Sequence, residues 1–405
     1  MFAVTAARNG ADDPLSGLEL GERPDPVPPG GWVTVTVKAA SLNHHDVWTL
    51  RGVGISADRL PIVLGCDAAG LDADGNEVIV HAVIADPDAG GGDETLDPRR
   101  SLLSERHDGT FAEQVCVPRR NLVPKPAALS FAEAACLPTA YLTAYKMLFD
   151  KSGVQPGATV LVQGAGGGVA TALILLGRAA GYRVWATSRS EAKRERAVKL
   201  GADQAFPAGA RLPERVDVVM ETVGQATWAH SIRSLKPGGR IVICGATSGN
   251  APSAELTRMF FTQLSVLGST MGTRDQLAHL ARFCEQSGAR PLIDRVLPLD
   301  HARDGFEAMI TGDLFGKIVF ECLGRPPQPP PGGCGGGPSG RSAAIPAKVP
   351  EPAPGSGLSS SMRRYPGRAP GPASRINPGE LTGAPCRDLQ QLRLQTVTAW
   401  LSGDC

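Results

Sequence analysis

Residues 159–170 read Thr159-Val160-Leu161-Val162-Gln163-Gly164-Ala165-Gly166-Gly167-Gly168-Val169-Ala170. An apolar run passes into four glycines within five positions and then into a helix-forming segment. Glycine lets the chain turn tightly and lets backbone amides approach an anion. A helix that starts there turns its positive end toward the same anion. A second apolar run, 182–187, follows at the spacing a strand–loop–helix–strand unit requires. The expectation is that 156–202 binds the pyrophosphate of a nicotinamide dinucleotide, with Gly166, Gly167, Gly168 and Val169 as the cradle. Ala170 takes the last small position of the motif.

The second run ends Trp185-Ala186-Thr187-Ser188-Arg189-Ser190. Sites that prefer NAD place an acid here for the ribose hydroxyls. This chain has Ser188 and Arg189, with Lys193 one turn later. A hydroxyl and two cations suit a 2′-phosphate, so NADPH is favoured over NADH.

Outward from this unit the pattern stays periodic. Apolar runs at 158–163, 182–187, 216–221, 239–244 and 264–268 alternate with helical patterns near 168–180, 190–200 and 225–235. That alternation predicts an α/β, doubly wound parallel sheet covered by helices on both faces. Another helix is expected over 274–287. Residues 1–125 read as strands and turns, with a first strand at the N-terminus and period-two alternation in Trp32-Val33-Thr34-Val35-Thr36-Val37. Residues 85–110, rich in Asp, Gly and Pro, read as a surface excursion. Residues 130–150 read as helical, with a break or kink at Pro138. The strand ending Gly316-Lys317-Ile318-Val319-Phe320-Glu321 is expected to return to the first domain. Three regions follow: 1–125 completed by about 290–323, then 126–289, then 325–405. The last holds 15 Pro and 12 Gly among residues 325–385, and is expected to be a disordered tail.

Composition excludes several classes. Net charge is +1, so no bias toward nucleic acid or an anionic membrane exists. No apolar run reaches the ~20 residues of a membrane-spanning helix, and the N-terminus lacks the pattern of a secretory signal. Nine cysteines without a Cys-x-x-Cys pair suggest reduced thiols and a cytoplasmic location.

Taken in order, several stretches resemble the medium-chain dehydrogenase/reductase superfamily, in its zinc-free quinone oxidoreductase-like branch, often labelled zinc-binding dehydrogenase. They are Ser41-Leu42-Asn43-His44-His45-Asp46-Val47-Trp48, Leu64-Gly65-Cys66-Asp67-Ala68-Ala69-Gly70, Asp108-Gly109-Thr110-Phe111-Ala112-Glu113, the glycine loop, Gly238–Gly249, Leu267–Thr273 and Phe315–Val319. The resemblance implies a GroES-like β-barrel domain, a Rossmann domain, a cleft between them and a homodimer. It implies that Thr143, the Cys244-Gly245-Ala246-Thr247 turn and Met271 border the cofactor, with Thr139 and Tyr141 near the nicotinamide or pocket. Zinc members of the superfamily ligate the metal at positions that correspond here to Asn43, Cys66 (with Asp67 beside it) and Thr139. Only Cys66 is a good ligand, and catalytic zinc needs three, so no metal is expected. Asn43 is a candidate donor to a substrate carbonyl oxygen, and His45 a candidate proton donor. The implied function is NADPH-dependent reduction of a quinone or an activated double bond in a small molecule. Alcohol or aldehyde interconversion, or a non-catalytic NADPH-binding redox sensor, are the alternatives.

Overall fold

The structure is a computed structural model, and it describes residues 1–322. The Pro/Gly-rich stretch read as a tail lies outside the described residues.

The apolar runs of the second half become six parallel strands. In spatial order they are Gln204–Pro207, Arg183–Ser188, Thr159–Val162, Val216–Glu221, Leu235–Ile243 and Ser265–Gly268. In chain order this is 3-2-1-4-5-6, the doubly wound arrangement whose ligands bind beyond the strands' carboxyl ends, where the order reverses. The outermost strand, Gln204–Pro207, went unread in the sequence. It carries two apolar residues and sits at an edge, so it needs no continuous apolar run. Thr159–Val162 is buried along its whole length because helices cover both faces. Helices Gly168–Ala179, Glu191–Leu200, Gln225–Ser234 and Arg274–Ser287 lie close to their expected positions.

The first half forms the barrel. The long strand Trp32–Ser41 pairs antiparallel with Asp67–Leu71 on one side. It also pairs with Gln114–Pro118 and, at its end, with Lys317–Glu321. The last pairing sets Val319 opposite Ser41 and Phe320 opposite Ala40, so the returning strand lies against the first domain as expected. A three-stranded sheet built on Phe2–Ala6 packs alongside. The barrel core holds Val35, Leu42, Leu50, Phe111, Phe306 and Phe320.

One local expectation is met and another needs correction. At Pro138 the regular α-helix gives way. The chain runs through Phe131–Ala135, then widens into π-type turns at Leu137–Tyr141 and Lys146–Lys151 around Leu142–Tyr145. A wider turn absorbs the missing N–H and the ring's clash with the preceding turn. Residues 85–110 are no mere excursion. Glu94, Thr95, Asp97, Ser101 and Ser104 are buried. Lys146 Nζ, itself buried, donates to Asp93 Oδ2 and Thr95 Oγ1, both at 2.7 Å. Glu94 Oε1 accepts from the Arg274 backbone N at 2.6 Å. The segment is thereby fastened to the helical side of the molecule, and Thr95, Arg100 and Glu105 from it line a cavity.

Candidate functional site

The glycine loop has the geometry of an anion cradle. Gly166 lies at φ 128, a backbone region that side chains rarely adopt. Gly167 caps the helix Gly168–Ala179 without a side-chain partner, so the first amides of that helix remain available to a ligand. A Cβ on Gly168 would stand 2.9 Å from Lys317 Cδ and 3.2 Å from Ala140 Cβ. Gly316 N donates to Gly166 O at 2.9 Å, which ties the loop to the returning strand. Val169 is half-buried on the first turn of the helix.

Ser188 ends its strand buried, and Arg189 follows exposed. Ser190 caps the next helix by accepting from Lys193 N at 3.3 Å. The Lys193 side chain turns toward the glycine loop rather than toward Arg189. Its Nζ donates to Gly312 O at 2.9 Å, and its Cδ lies 3.0 Å from the place of a Cβ on Gly166. Arg194, which the sequence reading missed, holds the strand tip by donating to Ser188 O at 3.0 Å and Arg189 O at 3.3 Å. Its place four residues after Ser190, on the same helix face, was the available signal.

Cys244 leaves the strand Leu235–Ile243 and donates its N–H to Glu221 O at 3.0 Å. Burial, helped by Glu221, pushes its thiol up to about 12. Gly245 approaches Thr222 O, while Ala246 and Thr247 are exposed on the following turn. Thr143 is buried within its helix. Met271 adopts φ 47 and packs with Cys66, Ala82 and Val83. It also lines a cavity of about 330 Å³ together with Thr95, Arg100, Glu105 and Thr270. Tyr141 does not line a pocket: it is buried, and its hydroxyl accepts from Leu292 N at 2.7 Å.

Asn43 needs correction as a free donor. Its Nδ2 donates to Asp67 Oδ2 at 2.8 Å and to Ser41 O at 3.2 Å, and its Oδ1 accepts from Lys317 Nζ at 2.6 Å. An amide has two hydrogens, and both are committed inward. Thr139 Oγ1 donates to Asp67 Oδ1 at 2.5 Å.

His45 stands differently. Its Nε2 lies 3.2 Å from Glu105 Oε1, on the cavity wall, and its Nδ1 lies 3.2 Å from Cys66 Sγ. The Cys66 thiol is itself 3.2 Å from Leu103 O, to which it donates. Burial opposes charge on the His45 ring, but Cys66, Asp46 and Glu105 outweigh it and hold the imidazole well above its usual value. Burial pushes Glu105 upward, yet its bonds to His45 and the Leu102 N–H prevail and lower it. Each partner thus favours charge on the other, and of the two it is Glu105 that lines the cavity.

Two family models match: "Alcohol dehydrogenase GroES-like domain" over residues 29–127 and "Zinc-binding dehydrogenase" over 168–286. A zinc-type alcohol dehydrogenase-like protein of Schizosaccharomyces pombe is 31% identical over 78% of this chain and 99% of its own length. The chain belongs to the zinc-binding dehydrogenase family of the medium-chain dehydrogenase/reductase superfamily. An acryloyl-coenzyme A reductase of Sulfurisphaera tokodaii is 27% identical over 76% of the chain and 97% of its own. Among solved structures, an NAD-dependent alcohol dehydrogenase is 37% identical, with TM-score 0.74, over 80% of this chain and all of its own. A 2-octenoyl-CoA carboxylase reductase, CinF, in complex with NADP and 2-octenoyl-CoA, is 25% identical with TM-score 0.73, over 79% and 87%.

The family's name implies zinc, and the residues can be tested against it. At the three corresponding positions, Asn43 and Thr139 are spent on Lys317 and Asp67, and neither is a good zinc ligand. A second set exists nearby, in which ligand atoms of His45, Asp46 and Cys66 lie within 4.8 Å of one another. Asp46 there accepts from Asn43 N at 2.8 Å and Gly65 N at 3.2 Å. Asp46 and Cys66 have no exposed surface. A catalytic zinc needs three ligands and an open fourth position; this set offers three donor atoms, of which the Asp46 carboxylate is already engaged by two backbone amides.

Proposed function

We propose that the chain is an NADPH-dependent reductase of a quinone or of an activated, enone- or enoyl-type double bond, working without zinc. The observation that carries this reading is the His45–Glu105 pair, whose carboxylate lines the cavity. A conjugated carbonyl takes hydride at carbon and needs a proton to finish, and a protonated ring held by a carboxylate is suited to give it. Bound NADPH supplies the hydride. The glycine loop and helix Gly168–Ala179 hold its pyrophosphate, assisted by Lys193, and Ser188 with Arg189 takes the 2′-phosphate. Thr143, the Cys244–Thr247 turn and Met271 complete its seat. His45 delivers the proton to the substrate, and Glu105 keeps the ring charged until then. The enoyl-CoA chemistry named for two of the relatives supports this class of substrate.

The proposal includes a division into a barrel domain of 1–125 completed by 290–323 and a dinucleotide domain of 126–289. It also includes a cytoplasmic location and a homodimer. Leu256, Phe260 and Phe261 stand 71%, 64% and 74% exposed beside the edge strand Ser265–Gly268. An apolar patch flanking an open strand edge suits pairing with a second copy. No helix among the described residues is long and apolar enough to cross a membrane.

The test is NADPH oxidation against a panel of quinones, enones and enoyl-CoA thioesters, beside NADP reduction with alcohols. Turnover of the first panel, abolished in His45→Gln, is expected. Faster turnover of alcohols would move the reading to the alcohol dehydrogenases, which two of the relatives resemble by name.

A further inference from the structure

Lys317 begins the returning strand and is 2% exposed. Its ammonium lies 2.6 Å from Asn43 Oδ1, 2.8 Å from Leu42 O and 3.4 Å from Asp67 Oδ2. An ammonium has three donors, and here each meets an oxygen. Asp67 accepts in addition from Ser41 Oγ at 2.8 Å, from Asn43 Nδ2 and from Thr139 Oγ1. The stem of Lys317 passes beside the glycine loop, close enough that a Cβ on Gly168 would meet its Cδ at 2.9 Å. One side chain therefore touches the barrel segment 42–43, the carboxylate at 67 and the first residue of the phosphate-binding helix. Through Asp67 it also reaches Thr139 on the helical segment.

A buried ion pair is a poor device for stability, because desolvation offsets most of the attraction. Lys317 and Asp67 do something more specific: they fix where four segments meet. Two of the three positions at which zinc members hold their metal, Asn43 and Thr139, are organised around this pair. We infer that Lys317 is a positioning residue whose buried ammonium keeps Asn43, Asp67 and, through Asp67, Thr139 in register with the phosphate-binding helix. The kinetic part of this inference rests on the reductase reading, while the binding part does not.

The tests are Lys317→Met, which keeps the stem and loses the charge, and Lys317→Ala, which opens a cavity next to the three oxygens. Lys317→Met is expected to lower kcat by about 100-fold, the scale of an ångström-sized misplacement, with NADPH affinity changed by no more than a few-fold. In Lys317→Ala, ammonium or methylammonium chloride is expected to raise Tm and to restore part of kcat, while sodium and tetramethylammonium chloride do neither. A side chain that merely fills space gives no such cation selectivity. Unchanged kcat in Lys317→Met overturns the inference, as does rescue by sodium equal to that by ammonium. If Lys317→Ala does not fold, the kcat-to-affinity split in Lys317→Met and its recovery in Lys317→Arg decide. If the wild type reduces nothing in the substrate panel, the reductase reading falls, and ammonium-selective stabilisation of Lys317→Ala still tests the cation site.

Discussion

Gly167→Ala separates binding from stability. Gly167 sits at φ −76 and ψ 164, where any residue is at ease. A Cβ there meets no protein atom within 4 Å. Stiffening the unfolded chain contributes about 0.4–1 kcal/mol in favour of the variant. Alanine is the weaker N-cap by about as much, so Tm should barely move. The new methyl group projects from the loop into the space where a pyrophosphate is proposed to lie. Displacing that anion sacrifices one or two charge-assisted bonds from backbone amides, each worth about 1.5–3 kcal/mol. NADPH affinity should therefore fall by about 10- to 100-fold or more. Gly168→Ala is the opposite case. Its Cβ would press on Lys317 and Ala140, and overpacking of this kind costs about 1–3 kcal/mol. Its Tm should fall measurably before any ligand is added. The assay is thermal unfolding without cofactor beside NADPH titration by nucleotide fluorescence. A Gly167→Ala protein that binds NADPH as well as wild type would refute the placement of the cofactor on this loop.

Arg189→Ala should weaken NADPH by about tenfold, the scale of one exposed charge-assisted bond, and leave NADH affinity unchanged; equal losses for both would exclude a 2′-phosphate role. The His45 ring is held above its usual value of 6.5, so its proton is present below that value and lost as pH rises through the raised one. Activity should therefore decline on the alkaline side, and Glu105→Gln should shift that decline to lower pH; a pH profile identical to wild type would remove Glu105 from the proton path. Phe260→Ser combined with Phe261→Ser should give a monomer by analytical ultracentrifugation if a second copy covers that patch, and a wild-type monomer at micromolar concentration would dispose of the dimer.

The doubly wound sheet was legible because its central strands are buried on both faces and must be apolar throughout. Its outermost strand was not, since an edge strand with Phe206 as its one large apolar residue leaves no run to see. The glycine loop was legible for a related reason: tight backbone geometry has few solutions in sequence. The cleft floor was harder. Asn43 reads as a polar group free to face a substrate, and nothing local to residue 43 shows that Lys317, 274 residues later, takes its oxygen. Glu105 belonged to a stretch that composition marks as loop, and its meeting with His45 across 60 residues is a property of the barrel. Residue type announced which groups had chemistry to offer. Which of them were already committed to one another depended on strand pairing at long range.

Charge placement on the two sides of the cleft follows from this. Around Asn43 the cation is fixed: Lys317 is buried, every donor is engaged, and the carboxylate of its partner Asp67 is shared among three other donors. Around His45 the proton is proposed to be exchangeable, because the ring is bonded to Glu105, which lines the cavity. A reductase of conjugated carbonyls needs both kinds, a standing charge to organise the site and a mobile proton to complete the product. The division also explains why His45 and Lys317 should respond differently to pH. Over the range in which His45 titrates, Lys317→Met should show the wild-type pH dependence at reduced rate, whereas His45→Gln should lose the dependence itself. Coincident profiles for the two variants would mean that a single coupled network, rather than two separate cations, governs the chemistry.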